Sequence, residues 1–147
     1  MLTNKAKYGL KAMLYLADHA ANGGVRGADI AAAENIPKKF LDAILLALRD
    51  HGLVTAKKGI HGGYQLARPA NRITVGELVR LLDGPLAPLP CVSKTAYRRC
   101  PDCPDEAACR VRRLMADVRE ALSDILDNAT LADLQGRQHE RILDYVI

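Results

Sequence analysis

Apolar residues recur at helical spacing along most of the chain, and Gly and Pro positions break the pattern into segments. Leu10, Met13, Leu14 and Ala17 follow the i, i+3, i+4, i+7 rule of one buried face, which predicts a helix from about Asn4 to Ala21. Asn22-Gly23-Gly24 ends it. A short helix is predicted from about Ala28 to Asn35, followed by the break Ile36-Pro37. Pro37 suits the first turn of a third helix with the stripe Leu41, Ile44, Leu45 and Leu48, which Gly52 closes as a C-cap. Lys38, Lys39, Asp42 and Arg49 lie mostly off that stripe. Two short helices joined by a tight turn, the second with a polar outer face, form a helix-turn-helix candidate.

The period then changes. Leu53–Ala56 and Tyr64–Ala67 read as short strands joined by the basic, glycine-rich link KKGIHGG. A hairpin directly after a recognition helix is the wing of a winged helix. Lys57, Lys58 and His61 are placed to face phosphates or enter a minor groove, and Gly62 and Gly63 permit close backbone approach. A plain surface hairpin is the competing reading; the order of elements and the charge favour the wing. ITVGELVRLLDG opens with a capping box, Thr74 with Glu77, and turns Val75, Leu78, Val79 and Leu82 to one side. Residues 84–106 hold five prolines and cannot be a continuous helix. A long helix resumes from about Ala107 to Asn128, with the stripe Val111, Leu114, Met115, Val118, Leu122 and Ile125. A last short helix starts at Thr130, with Asp133 as a weaker capping pair. The long stripe has two readings: packing on its own domain, or pairing with its copy in a dimer. The expected architecture is mainly α, a winged helix-turn-helix over 1–83, a cysteine-bearing loop over 84–106, and a dimerisation helix with a C-terminal tail over 107–147.

Composition sharpens this picture. The 147 residues suit one domain with an appendage, and with no Trp and one Phe the core is aliphatic. Residues 1–80 carry 12 Lys/Arg against 6 Asp/Glu, whereas residues 81–147 carry 9 against 11. The basic excess of the N-terminal part suits a polyanion such as nucleic acid. The opening residues show no signal-peptide pattern and no run reaches membrane-spanning length, so the cytoplasm is the default location and thiols there stay reduced. No nucleophile–base pair suggests an enzyme: His19, His51, His61 and His139 lie at helix ends, in the wing or near the C-terminus, and none falls in the cysteine loop.

All four cysteines lie between residues 91 and 109, in the pattern C-x8-C-x2-C-x5-C: Cys91, Cys100, Cys103 and Cys109. Thiolates are soft ligands for iron–sulfur clusters and zinc. One close pair does not make the paired CxxC of a zinc ribbon. Three chemistries stay open on spacing: an iron–sulfur cluster, zinc, or a thiol switch with Cys100 and Cys103 as the close pair.

LTNKAKYGLKAMLYLA, ADIA, IPKKFLDAILLALRDHGLV, KKGIHGGYQLARP, ITVGELVRLLDG and LDNATLADL, in this order, resemble the Rrf2 family of bacterial transcriptional regulators. That family includes regulators of iron–sulfur assembly, nitric-oxide response and iron response. The resemblance implies a dimer that reads double-stranded operator DNA with the second helix of the helix-turn-helix and the wing. It implies that Lys39, Phe40, Asp42 and Lys58 match DNA-facing residues. It also implies an iron–sulfur cluster, [2Fe–2S] or [4Fe–4S], on Cys91, Cys103 and Cys109, whose state changes DNA binding. The chain departs from the pattern at Arg112, where the assembly regulator has a histidine ligand, and at Lys7-Tyr8-Gly9, where other members offer an acid. Cys100 is additional and is the candidate fourth ligand.

Overall fold

A computed structural model describes residues 2–137; residues 138–147, with His139, lie outside the described part. Six α-helices and one hairpin follow in order: α1 (Asn4–Asp18), α2 (Gly27–Glu34), α3 (Lys38–Asp50), β1 (Val54–Lys57), β2 (Gly63–Leu66), α4 (Val75–Asp83), α5 (Arg110–Asn128) and α6 (Leu131–Gly136). Thr3 caps α1 by accepting from the Ala6 N–H, and the helix stops at Asp18, earlier than expected, because Ala20–Asn22 tighten into a 3₁₀ turn. Its buried face also differs. Ala6, Gly9, Ala12, Met13, Leu16 and Ala17 are buried, whereas Leu10 and Leu14 pack partly exposed at the core's edge. A Cβ on Gly9 would lie 2.1 Å from Leu82 Cδ1, so the missing side chain lets α1 and α4 meet.

The α2–α3 turn is short. Asn35 takes the left-handed conformation at φ 52°, and buried Ile36 donates its N–H to Ala31 O. Pro37 stands at the N-cap of α3 and leaves Lys38 as its first residue. At the other end Leu53 N–H donates to Leu48 O (2.9 Å) and Gly52 N–H to Arg49 O (3.0 Å), a Schellman closure with Gly52 at φ 73°. That closure leads directly into β1. The strands pair antiparallel from Val54↔Leu66 to Lys57↔Gly63, one residue later in β1 and one earlier in β2 than the sequence suggests. Val25 adds a bridge to Tyr64 on the open side of β2.

One aliphatic core joins these parts. Leu41, Ile44, Leu45 and Leu48 of α3 are all at most 1% exposed and pack with Met13, Leu16, Ile30, Leu53, Val54, Leu78 and Leu82. Burial of each such side chain contributes roughly 1.5–3 kcal/mol. Leu131 of α6, fully buried, belongs to the same cluster. The chain therefore returns to its first half: Leu131 N–H donates to Ile73 O (3.0 Å), Val75 N–H to Ala129 O (2.8 Å), and Thr74 bridges Thr130.

The two capping pairs exchange rank. Thr74 accepts from the Glu77 N–H, but the Glu77 carboxylate turns to Arg68 (2.6 Å) and leaves the box half made. Thr130 and Asp133 complete theirs, with both reciprocal bonds. Those bonds hold the Asp133 carboxyl below its ordinary range. No helix among the described residues is long and apolar enough to cross a membrane.

Candidate nucleic-acid interface and cysteine loop

The helix-turn-helix and hairpin present one set of exposed side chains. Lys38, Lys39 and Asp42 are exposed on the first turns of α3, as the pattern predicts, and so is Phe40. Lys38 Nζ and Asp42 Oδ1 pair at 2.7 Å across i, i+4. In the hairpin Lys57, Lys58 and His61 are exposed, while Gly62 and Gly63 are half-buried. The two glycines have an internal reason. A Cβ on Gly62 would stand 2.2 Å from Lys57 O, and one on Gly63 would stand 2.6 Å from Val25 O. They close the hairpin on the chain's own backbone. Two exposed apolar residues went unnoticed in the sequence. Leu46, 48% exposed, continues the outward row of α3 one turn beyond Asp42, and a count of i+4 from Asp42 finds it. Ile60 stands at the hairpin tip.

The cysteine loop is held by helix α5. Cys91, Val92 and Ser93 are buried, with Pro90–Val92 in a 3₁₀ turn. Arg112 Nε donates to Cys91 O (3.3 Å), and Arg119 Nη1, two turns further on the same face, donates to Val92 O. Arg112 thus binds a backbone carbonyl at the position where a ligand histidine is expected. Glu120 bonds both Lys94 and Arg119, which hold its carboxyl below the usual range. Cys109 is the N-cap of α5: its Sγ accepts from the Arg112 N–H at 3.4 Å. The helix begins at Arg110 rather than near Ala107, because Asp105 Oδ1 takes the Ala107 N–H and Cys109 N–H bonds Glu106 O in turns that precede it.

All four thiols are free. The Cys91 thiol, together with desolvation and nearby negative charge, pushes Cys100 up from its ordinary value. The backbone bond from Arg98 N–H to Pro90 O (3.1 Å) brings these two ends of the loop together. In chemistry the four thiols suit a soft metal centre. In placement they suit it only in part: among the described residues no three His, Cys, Asp or Glu side chains are grouped to hold a metal ion. Cys109 serves as a cap, and Cys103 takes part in a turn through its N–H to Cys100 O.

Helix α5 also carries the exposed stripe. Its 19 residues include none that is buried. Val111, Leu114, Val118, Leu122 and Ile125 are exposed, and Met115 of the expected stripe is half-buried. The opposite face is tied to α4 by the bidentate Arg80–Asp127 pair, which holds the Asp127 carboxyl below its ordinary range. Among the described residues, nothing buries the exposed part of this stripe.

The Rrf2 profile, described as iron-dependent transcriptional regulator, matches residues 2–137. The chain is similar to the rrf2-like HTH-type transcriptional regulator of Rhodobacter capsulatus, at 45% identity with 91% of each chain covered. Its structure is similar to CymR, the global cysteine regulator of Bacillus subtilis, with a TM-score of 0.79 at 31% identity over 94% of this chain and 98% of that one. It is also similar to T. potens IscR, with a TM-score of 0.75 at 27% identity over 99% and 96%. These relatives are regulators, not enzymes. The chain belongs to the Rrf2 family of winged-helix transcriptional regulators.

Proposed function

We propose that this protein is a homodimeric regulator that binds a double-stranded DNA operator with α3 and the wing, and whose cysteine loop sets operator affinity. The observation that carries the reading is the joint exposure of Lys38, Lys39, Phe40 and Asp42 on α3 and of Lys57, Lys58 and His61 on the wing, all on a single packed core. Lysines neutralise phosphates, Phe40 suits a thymine methyl, and Asp42 suits the N4 amino group of cytosine. Asp42 must first leave Lys38, and an exposed pair of this kind contributes only about 0.3–0.5 kcal/mol. The exposed α5 stripe supports a second copy as its cover. Operation in the cytoplasm, where such an operator lies, follows. Residues 1–83 form the DNA-binding part in this reading, 84–106 the loop, and 107–147 the dimerisation helix and tail.

For the state of the loop we adopt an iron–sulfur cluster, [2Fe–2S] or [4Fe–4S], supported by the donor chemistry and by the iron-dependent description of the family. Cys91, Cys103 and Cys109 would hold it with Cys100 as fourth donor, and it would supply a redox-active charge beside the cap of α5. Structural zinc is the alternative occupant. A thiol switch is the second reading, with Cys100 and Cys103 as the close pair, joined by the bond from Cys103 N–H to Cys100 O. A metal carrier that binds no DNA is disfavoured by the basic wing.

Purification without oxygen, with iron, sulfide and zinc measured per chain and duplex binding followed by gel shift, tests the whole. Expected are matched iron and sulfide, and operator affinity that changes on exposure to air. A protein with all four cysteines replaced by alanine should bind DNA without that change. Unaltered oxygen response in that variant sinks the sensor, and absence of any duplex shift by the wild type sinks the DNA reading.

A further inference from the structure

Ile60 is 91% exposed, more than any other large hydrophobic residue among the described ones. Single exposed aliphatic residues are ordinary on protein surfaces. This one occupies an unusual place. Gly62 N–H donates to Gly59 O at 3.1 Å, which makes Ile60 and His61 the two corner residues of the turn that closes the wing. The tip is also braced. Val25 and Tyr64 exchange backbone bonds of 2.9 and 2.7 Å, and the close approaches at Gly62 and Gly63 lock the base of the turn. The other side chains of the tip segment 57–61 are exposed and cationic or titratable: Lys57, Lys58 and His61.

A preorganised hairpin with lysines on its flanks and an aliphatic group at its point complements a narrow cleft with two anionic walls and a less polar floor. The minor groove of DNA has that character: phosphates line both rims, and sugar edges and base steps lie between them. Aliphatic side chains inserted there unstack a base step, and pyrimidine–purine steps yield most readily.

We propose that Ile60 is a DNA-contacting residue, an apolar wedge that enters the minor groove beside each operator half-site and favours a pyrimidine–purine step. The assignment rests on the DNA-binding reading and adds to it a contact that carries no charge. Lysine contacts release counterions and weaken with salt, whereas burial of the isoleucine is nearly independent of salt. The two contributions therefore separate in one titration.

The experiment uses the full-length protein and a duplex that the wild type selects from random sequence, with 2-aminopurine placed at successive steps flanking the half-site. Wild type, Ile60→Ala, Ile60→Val and Lys58→Ala are titrated at several salt concentrations. Ile60→Ala is expected to weaken binding about tenfold at every salt concentration, with the salt slope unchanged. Ile60→Val should recover most of the loss, and Lys58→Ala should lower the slope by about 0.9 for each lysine removed. Wild type should raise 2-aminopurine fluorescence at one step and Ile60→Ala should not. Binding by Ile60→Ala within twofold of wild type, a changed slope, or a loss traced to altered sedimentation overturns the wedge while leaving the DNA reading in place. Failure of the wild type to select any duplex overturns the DNA reading itself, and the wedge with it.

Discussion

Leu45 shows how much one side chain can decide. It is fully buried in the face of α3 that holds the helix-turn-helix together, and the outward residues of that helix are aimed only as well as the inward ones are packed. Leu45→Ala is expected to lower unfolding free energy by about 2–5 kcal/mol, through lost transfer energy and the cavity left behind. Urea unfolding followed by circular dichroism measures it, and a cost below about 1 kcal/mol would show a site able to collapse. The stripe Leu41, Ile44, Leu45 and Leu48 was fully legible, because helical spacing is set by backbone geometry alone. The roles of Arg112 and Arg119 were not. Each donates to a carbonyl of residue 91 or 92, and a backbone acceptor has no side-chain identity for a sequence to display. Cys109 as a helix cap was hidden for a related reason: a thiol is a weak acceptor and stands outside the usual capping set.

Among the elements, α5 is the one whose boundaries and company the pattern described least well. Periodicity located the helix, but local turns moved its start, and its self-packing face is polar. The Arg80–Asp127 clamp joins that face to α4, and a Cβ on Gly76 would lie 1.9 Å from Asp127 Oδ1, so the glycine makes room for the clamp. The pH behaviour of the clamp follows from its sign. Asp127 titrates lower in the folded chain than when unfolded, so its contribution is complete above the unfolded value near 3.9 and is lost as pH falls through the lower folded value. Asp127→Asn should therefore cost stability at pH 6, and the cost should shrink progressively as pH falls below about 3.9. Urea midpoints of both proteins across that range check it, and a constant difference would assign the loss to packing instead. Thr74 and Thr130 teach the same lesson on a smaller scale. Both motifs were visible, but Arg68 draws Glu77 away from its box, and that partner lies nine residues upstream.

At the scale of the molecule, the exposed stripe of α5 asks for a partner, and the wing and α3 ask for a binding site of matching symmetry. A dimer places two recognition helices on half-sites about 34–36 Å apart, or a multiple of that spacing. Replacing Val118 and Leu122 together with glutamate should yield a folded monomer by sedimentation velocity, with helical content retained and operator affinity reduced by at least 100-fold. Retention of the dimer would move the interface off this helix. The two ends of the described chain meet because Leu131 fills a space that the first 83 residues leave in their own core. No local pattern announces that return, since Leu131 is one apolar residue in a short helix and its socket is built by residues more than fifty positions earlier.

Synthesis gives the return of α6 a further consequence. Helix α3, the proposed DNA reader, is finished early, yet its core closes only when residue 131 has left the ribosome and folded back. A chain interrupted before that point carries the reading residues on an unplugged core. Such fragments should be removed by proteolysis rather than persist as lone half-readers that compete with intact protein for its sites.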